Sequence, residues 1–325
     1  MRILITGGTG FFGKAILEYL SAQYIKEKDR HPYQVVVLSR NPKKFLEEHP
    51  RFDNLPWLTF HEGDILEPQT LPYEQGFSDV LHAATDSVSV PGQTVIEQYE
   101  QIVTGTKNIL DFSIKVGAER FLLTSSGAVY GSQPANLPLM PEIYVGAPDV
   151  LDLRNVYGNA KRHAEMLCAL YSDQFGINTK IARCFAFVGP NLPLSAHFAI
   201  GNFIKSAIEG RDILITGNGS AMRSYLFESD LASWLFEILA NGKTGEAYNV
   251  GSDIAVSIGN LANLVKEILN PNLQIIINGQ SQNSARNFYI PDISKAKYQL
   301  GLKVTYSLNE AIRQTGKILI NSNEY

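Results

Sequence analysis

Short apolar runs at residues 2–6, 34–39, 57–61, 79–84, 120–125 and 178–183 punctuate the first half of the chain. Between them lie stretches at 13–22, 95–116 and 158–175 whose apolar residues recur with a helical period. A run that is apolar at successive positions is buried on both faces, as inside a parallel sheet; the longer period marks one apolar face of a helix. Strands that alternate with helices imply right-handed crossovers with helices covering both sides. The predicted fold is therefore α/β, built on a doubly wound parallel sheet. After Gly189-Pro190 the texture changes. Residues 191–197 read as a loop, 198–209, 229–239, 258–269 and 308–320 as helices, and 212–216 as a short strand. The stretch 271–284 completes a smaller C-terminal α/β lobe. The expected division is a sheet domain over 1–188, to which segments near 225–270 return, and a lobe made of 189–224 and 271–325.

Composition narrows the setting. A net charge of −4 with no basic arm argues against nucleic-acid binding, which depends on basic surface. The chain enters a strand at residue 2, leaving no room for a leader, and no apolar stretch approaches the ~20 residues of a membrane helix. A soluble, cytoplasmic chain with no membrane partner is expected. Cys168 lies on an apolar helical face and Cys184 in a strand-like run, so both read as small buried hydrophobes rather than a disulfide. Histidines and acids show no ligand spacing, and no metal is expected.

The chemistry begins at the first turn, Thr6-Gly7-Gly8-Thr9-Gly10-Phe11-Phe12-Gly13, which joins the first strand to the first helix. In that context the glycines form a dinucleotide-binding signature, and the sheet becomes Rossmann-type. Gly7 permits the tight turn, Gly10 lets backbone approach a pyrophosphate, and Gly13 allows close packing of helix on sheet. Phe11 and Phe12 open the helix, whose free N–H groups face the phosphates. An acid at the end of the second strand would accept the adenosine ribose diol and favour NAD(H). Ser39-Arg40 stands there instead. A hydroxyl and a guanidinium suit a 2′-phosphate, so NADP(H) is favoured, with NAD(H) left open should Arg40 only stack on adenine. Asp64 and Ile65 are placed to contact adenine, although Asp64 reads equally as a helix N-cap. Ala83 and Ala84 are small enough for backbone to lie close to the cofactor, and His82 before them reads as structural.

Tyr157 and Lys161 sit at i and i+4 on one helix face. A phenol with a pKa of ~10 is a poor base, but a neighbouring ammonium stabilises its phenolate. Such a tyrosine exchanges a proton with a sugar hydroxyl or ketone as hydride moves. Upstream, Leu123-Thr124-Ser125-Ser126-Gly127-Ala128-Val129-Tyr130-Gly131 ends the fifth strand with serines able to orient the reacting oxygen.

Together these motifs resemble the extended short-chain dehydrogenase/reductases of the NAD-dependent epimerase/dehydratase family. The resemblance continues through Arg183-Cys184-Phe185-Ala186-Phe187-Val188-Gly189-Pro190, Gly217-Asn218-Gly219, Arg223-Ser224-Tyr225, Asp230-Leu231-Ala232, Tyr248-Asn249-Val250-Gly251 and Asp292-Ile293-Ser294-Lys295-Ala296. It implies a nucleotide-diphosphate-sugar substrate in the smaller lobe, with Ser126, Tyr157 and Lys161 catalytic and Lys161 also on the nicotinamide ribose. It places Ser125, Ser126 and Asn191 against the sugar nucleotide, with Asn202 and Phe203 nearby, and Arg223 and Arg286 as phosphate ligands, where guanidinium forks match phosphate oxygens. It also implies a homodimer, for which helices 95–116 and 158–175 are candidates, although their apolar faces serve equally to cover the sheet. Dehydratases of the family carry acids just after the catalytic hydroxyl; Gly127 and Ala128 stand there, which disfavours a 4,6-dehydratase. Ala186 and Gln101-Ile102 replace asparagines frequent in the family. The expected activity is hydride transfer at sugar C4, as an epimerase or a 4-ketoreductase. The alternatives are a 4,6-dehydratase of a nucleotide sugar, a reductase of non-sugar carbonyls and a non-catalytic NADP-sensing protein.

Overall fold

A computed structural model describes residues 1–27, 33–85, 92–194, 198–279 and 287–322. The chain begins with β1 (Arg2–Thr6), α1 (Phe11–Glu27), β2 (Gln34–Ser39), α2 (Pro42–Glu48), β3 (Leu58–Glu62), β4 (Asp79–His82), α3 (Val95–Lys115), β5 (Arg120–Ser126), α4 (Val156–Phe175) and β6 (Asn178–Cys184). It continues with β7 (Phe187–Val188), α5 (Ala199–Ile208), β8 (Ile213–Ile215), β9 (Met222–Arg223), β10 (Leu226–Phe227), α6 (Glu228–Asn241) and β11 (Ala247–Val250). The last elements are β12 (Val256–Ser257), α7 (Ile258–Leu269), β13 (Ile275–Ile277), β14 (Phe288–Tyr289), α8 (Ser294–Leu300) and α9 (Leu308–Ser322). Two compact units divide these elements: Met1–Gly131, Ala147–Cys184 and Ala232–Tyr248 form one, and Ser132–Gly146, Phe185–Leu231 and Asn249–Tyr325 the other.

The first unit is built on a sheet of order β11-β6-β5-β4-β1-β2-β3, whose pairs from β3 through β6 are all parallel. Strand order reverses between β1 and β4, so the carboxyl ends of those strands part into a crevice. The uniformly apolar strands are buried: Leu4, Val36, Val80, Phe121 and Leu123 pack with Ile109 and Phe112 of α3 and Ala160, Ala164 and Cys168 of α4. β4 stops at His82 rather than at residue 84: the Ala83 N–H still reaches the Thr6 carbonyl (3.1 Å) while sharing Thr6 Oγ1 with the Ala84 N–H (3.2 Å each), so the ladder ends at Ala84. α2 has no counterpart in the hydrophobic period. It starts on a local signal, Asn41 Oδ1 accepting the Lys44 N–H with Pro42 in the first turn.

The second unit has short strand pairs, β7 with β10, β8 with β13, and β9 between β12 and β14. Helices α5, α7 and α9 pack on one another, and Phe203, Leu261 and Ile312 are buried residues of the three. Residues Ser132–Gly146 join this unit because Met140 exchanges backbone hydrogen bonds with Ile290 and Asp292, and buried Asn249 Nδ2 donates to the Met140 and Asp292 carbonyls. No helix among the described residues is long and apolar enough to cross a membrane.

Asp79 and Arg120 are register partners on β4 and β5, and Arg120 Nε donates to the fully buried carboxylate at 2.5 Å. Removing one partner of such a pair strands a charge. Asp79→Ala is expected to lower stability by about 3 kcal/mol, read as a drop in urea midpoint at unchanged slope.

Candidate active site

At the crevice between β1 and β4 lies a cleft of about 550 Å³, lined by Gly7, Thr9, Gly10, Ser39, Arg40, Asp64, Ile65, Ala83, Ala84 and Thr85, a volume ordinary for a small-molecule site. Gly7 has φ 70°, and a Cβ there would stand 2.4 Å from the Ala83 carbonyl oxygen. A Cβ on Gly13 would lie 2.2 Å from Gly8 backbone, so neither turn nor helix tolerates a side chain. At Gly10 the corresponding space is open except for Gly7 O at 3.5 Å. The glycine cradle and the start of the 17-residue α1 thus leave room and N–H groups for a dinucleotide pyrophosphate. Phe11 and Phe12 open α1 half-buried, their rings edge to face. Asp64 is not a helix N-cap: its Oδ1 accepts the Leu66 N–H in a tight turn while the residue lines the cleft beside Ile65. Arg40 is exposed on the cleft wall next to buried Ser39, and no carboxylate among the described residues pairs with it.

The floor of the cleft rests on a neutral histidine. Thr6 Oγ1 accepts the Ala83 and Ala84 N–H groups, so its own hydrogen goes to His82 Nδ1 at 2.7 Å. His82 Nε2–H then donates to Thr106 Oγ1 at 3.1 Å, and the Thr106 hydroxyl donates to the Ile102 carbonyl. Burial, with a smaller contribution from Lys161, lowers the His82 pKa to about 3.

Tyr157 and Lys161 occupy successive turns of α4. Gly158 lets that helix close on the turn after β5, since a Cβ there would meet the Ala128 carbonyl at 2.8 Å. Lys161 is 2% exposed, and its Nζ donates to Thr124 O at 2.7 Å and Thr85 Oγ1 at 2.9 Å. Nζ stands 6.0 Å from the centre of the Tyr157 ring. Burial lowers the lysine pKa to about 8, partly offset by the Glu165 carboxylate. Ser126 Oγ accepts the Ala128 N–H at 3.1 Å, which leaves its O–H to donate. Ser125 differs: its hydroxyl is given to Glu165 Oε1 at 2.5 Å, so of the two serines Ser126 is the one with a donor to offer a ligand.

In the sequence model of the NAD dependent epimerase/dehydratase family, the match runs over residues 3–251. The chain belongs to that family. It is 32% identical over 318 residues to UDP-glucuronic acid decarboxylase 3 of Arabidopsis thaliana, covering 96% of this chain and 87% of the relative. UDP-glucuronic acid decarboxylase 1 of Xenopus tropicalis is 30% identical over 322 residues, covering 97% and 71%. Among solved structures, UDP-glucose 4-epimerase of Thermotoga maritima superimposes with a TM-score of 0.83 at 23% identity over the full length of both chains. dTDP-glucose 4,6-dehydratase of Bacillus anthracis, solved with NAD, gives 0.82 at 21% identity over 100% and 98%. This member of the family is accordingly an NAD(P)-dependent enzyme of the extended short-chain dehydrogenase/reductase type with the Rossmann-like sheet of its structural neighbours.

Of the residues expected to meet substrate, Asn191 and Arg223 belong to the second unit. Buried Glu228 accepts both the Asn191 backbone N–H (3.1 Å) and its Nδ2 (2.8 Å). Arg223 Nη1 donates to the Met222 and Asn287 carbonyls. Phe203 is buried in α5 and Asn202 exposed. Arg286 lies outside the described residues. The motifs did not single out Thr85 or Gln93 in the cleft, nor Glu165 and Glu228; Thr85, Glu165 and Glu228 are placed by long-range pairings that no local pattern announces.

Between pH 6.5 and about 3 the unfolded chain binds a proton at His82 that the folded chain refuses, so stability falls as pH drops through that window. His82→Gln should therefore flatten the decline of urea midpoint on acidification. A slope equal to wild type would contradict a neutral, buried His82.

Proposed function

We propose that this enzyme is an NADP(H)-dependent 4-ketoreductase acting on a nucleotide-diphosphate sugar. The observation that carries the reading is Arg40, a guanidinium on the cleft wall beside Ser39 with no acid at the end of β2. The end of β2 there favours a 2′-phosphate and offers no carboxylate to a free ribose diol; the cleft's own carboxylates, Asp64 and Glu97, lie elsewhere in its lining. A preference for NADPH goes with net reduction, because that cofactor supplies reducing power. When bound, the nicotinamide supplies the hydride equivalent at the sugar carbon. The chain's own residues do the rest. Ser126 donates its O–H to the carbonyl oxygen, and Tyr157 hands that oxygen a proton. Lys161, still an ammonium at neutral pH with its pKa near 8, holds positive charge beside the phenol as it loses the proton. Gly127 and Ala128 carry no acid or base, so this group makes one proton transfer, and elimination of a 6-hydroxyl lacks its second acid–base group. Arg223 is the candidate for the diphosphate, and Asn191 for the sugar nucleotide. Exposed Ile96 of α3 and Met166 and Leu170 of α4, two helices packed together, support a homodimer through those helices.

The decarboxylase relatives, at 30–32% identity, support a second reading. Oxidation of a glucuronic acid at C4 makes its carboxylate β to a ketone, which loses carbon dioxide before the ketone is reduced. Cofactor would then be unchanged overall, as in an epimerase.

The test is to release any bound cofactor with acid, identify it by mass spectrometry, and follow NADPH absorbance against a panel of 4-keto-6-deoxy nucleotide sugars. NADPH oxidation by a panel member, abolished in Tyr157→Phe by a factor of about 10² to 10⁴, is the expected result. Tightly bound NAD with no net NADPH oxidation would overturn the reductase in favour of an epimerase, and carbon dioxide released from UDP-glucuronic acid would establish the decarboxylase. Arg40→Ala should raise KM for NADPH by about ten- to a hundredfold while barely changing that for NADH, the loss expected for charge-assisted contacts.

A further inference from the structure

Tyr157, Lys161 and Glu165 are spaced i, i+4 and i+8, a single stripe along α4. Two consecutive residues of β5 meet that stripe, and a third, Ser126, ends the strand. The Thr124 carbonyl takes the Lys161 ammonium, Ser125 Oγ donates to Glu165 Oε1, and Ser126 follows with its hydroxyl. Glu165 is itself held from the neighbouring strand. Arg183 is the register partner of Ser125 on β6, and its Nε and Nη2 grip both carboxylate oxygens at 2.7 to 3.2 Å. Arg183 Nη1 continues to Tyr130 Oη at 2.9 Å, with the guanidinium 4.8 Å from that ring's centre. Tyr130 closes the turn that begins at Ser126. The side chains of Arg183 and Glu165 are 17% and 11% exposed, so this is a largely desolvated pair with its polar atoms satisfied.

We propose that Glu165 is a positioning residue for the reaction centre. Through Ser125 on one side and Arg183–Tyr130 on the other, it brackets Ser126 and holds the end of β5 in register against the helix stripe that presents Tyr157 and Lys161. The inference rests on the reading of Ser126, Tyr157 and Lys161 as the reacting group. It adds two residues, Glu165 and Arg183, that touch neither substrate nor cofactor yet determine where the reacting groups stand. The carboxylate has a second effect through space. The titratable groups facing Lys161 are Tyr157, Glu165 and Cys168 on its own helix, Cys184 on β6 and the neutral His82 on β4. Burial holds both thiols protonated, so Glu165 is the one full negative charge of that set and opposes the desolvation of the lysine.

The test uses the full chain in three variants, Glu165→Gln, Ser125→Ala and Ser125→Thr. Protein labelled with carbon-13 at the lysine ε-carbon reports the Lys161 titration by NMR, with Lys161→Met assigning the resonance. Glu165→Gln should move that titration about one unit to lower pH, as loss of a near, partly buried charge implies. Ser125→Ala keeps the Glu165–Arg183 pair, so the titration should stay where it is in wild type. In the same variant kcat should fall roughly ten- to a hundredfold with KM nearly unchanged, the cost of a small misplacement, and Ser125→Thr should restore it. Turnover is read as NADPH oxidation by the 4-keto-6-deoxy nucleotide sugar that wild type reduces. Lack of any wild-type turnover would sink the proposed reaction, and the carbon-13 titration would still decide the role of Glu165. A folded Glu165→Gln whose Lys161 titrates as in wild type, or a Ser125→Ala with wild-type kcat and KM, would overturn the proposal. Should Glu165→Gln not fold, the two Ser125 variants decide it.

Discussion

A buried ammonium organises the catalytic end of the sheet. Lys161 is almost fully removed from water, and a charge so placed is tolerated only where fixed acceptors replace its hydration. Two of its hydrogens go to Thr124 O on β5 and to Thr85 Oγ1 just beyond β4. The lysine on α4 therefore ties a helix to the ends of two adjacent strands. Everything the candidate site requires at that point follows from the tie. The Tyr157 ring is held one helical turn from the charge, Ser126 lies two residues past the accepting carbonyl, and Gly158 gives α4 the clearance to approach the turn after β5. The same burial that fixes the lysine also brings its pKa to about 8, within reach of proton chemistry near neutrality.

The cofactor cleft obeys a related constraint, with backbone in place of a charge. Gly7 and Ala83 approach so closely that no side chain fits at residue 7, and the strand end is held at Ala83 by both the Thr6 carbonyl and Thr6 Oγ1 and at Ala84 by Thr6 Oγ1. Neutral His82 completes that arrangement by accepting from Thr6 and donating to Thr106 of α3. The histidine is thus a spacer between the first strand and the third helix, and its low pKa is a consequence of that position.

Family membership narrows the chemistry to nicotinamide-dependent redox, and local departures narrow it further. Elimination of a 6-hydroxyl needs proton-transferring groups beyond the tyrosine around the hydroxyl that starts the turn after β5. Gly127 and Ala128 add none. The acid nearest in the network, Glu165, is committed to Arg183 and Ser125. A single tyrosine serving one oxygen is sufficient for moving between alcohol and ketone.

The parallel strands were legible in the sequence because burial on both faces demands unbroken apolar runs, and five of the six predicted strands match within about one residue at each end, the usual boundary uncertainty. The glycine turn, Tyr157 and Lys161 were legible for the same kind of reason: each requirement is local, a positive φ, a close approach, or two side chains on one helix face. α2 was not, because its start depends on an Asn41 cap rather than on a hydrophobic period, and β4 ended early because the Ala84 N–H leaves the ladder for a side-chain oxygen. Nor did any pattern tell Ser125 from Ser126. That distinction came from Glu165, 40 residues further on, and from Arg183 on the adjacent strand. The chain's own order of residues determined the sheet, the glycine turn between β1 and α1 and the Tyr–Lys stripe, since these rest on short-range sterics and periodicity. Which hydroxyl stays available, which carboxylate is spent and which histidine stays neutral were decided by tertiary structure alone, because hydrogen-bond partners and desolvation exist only once distant segments have been brought together.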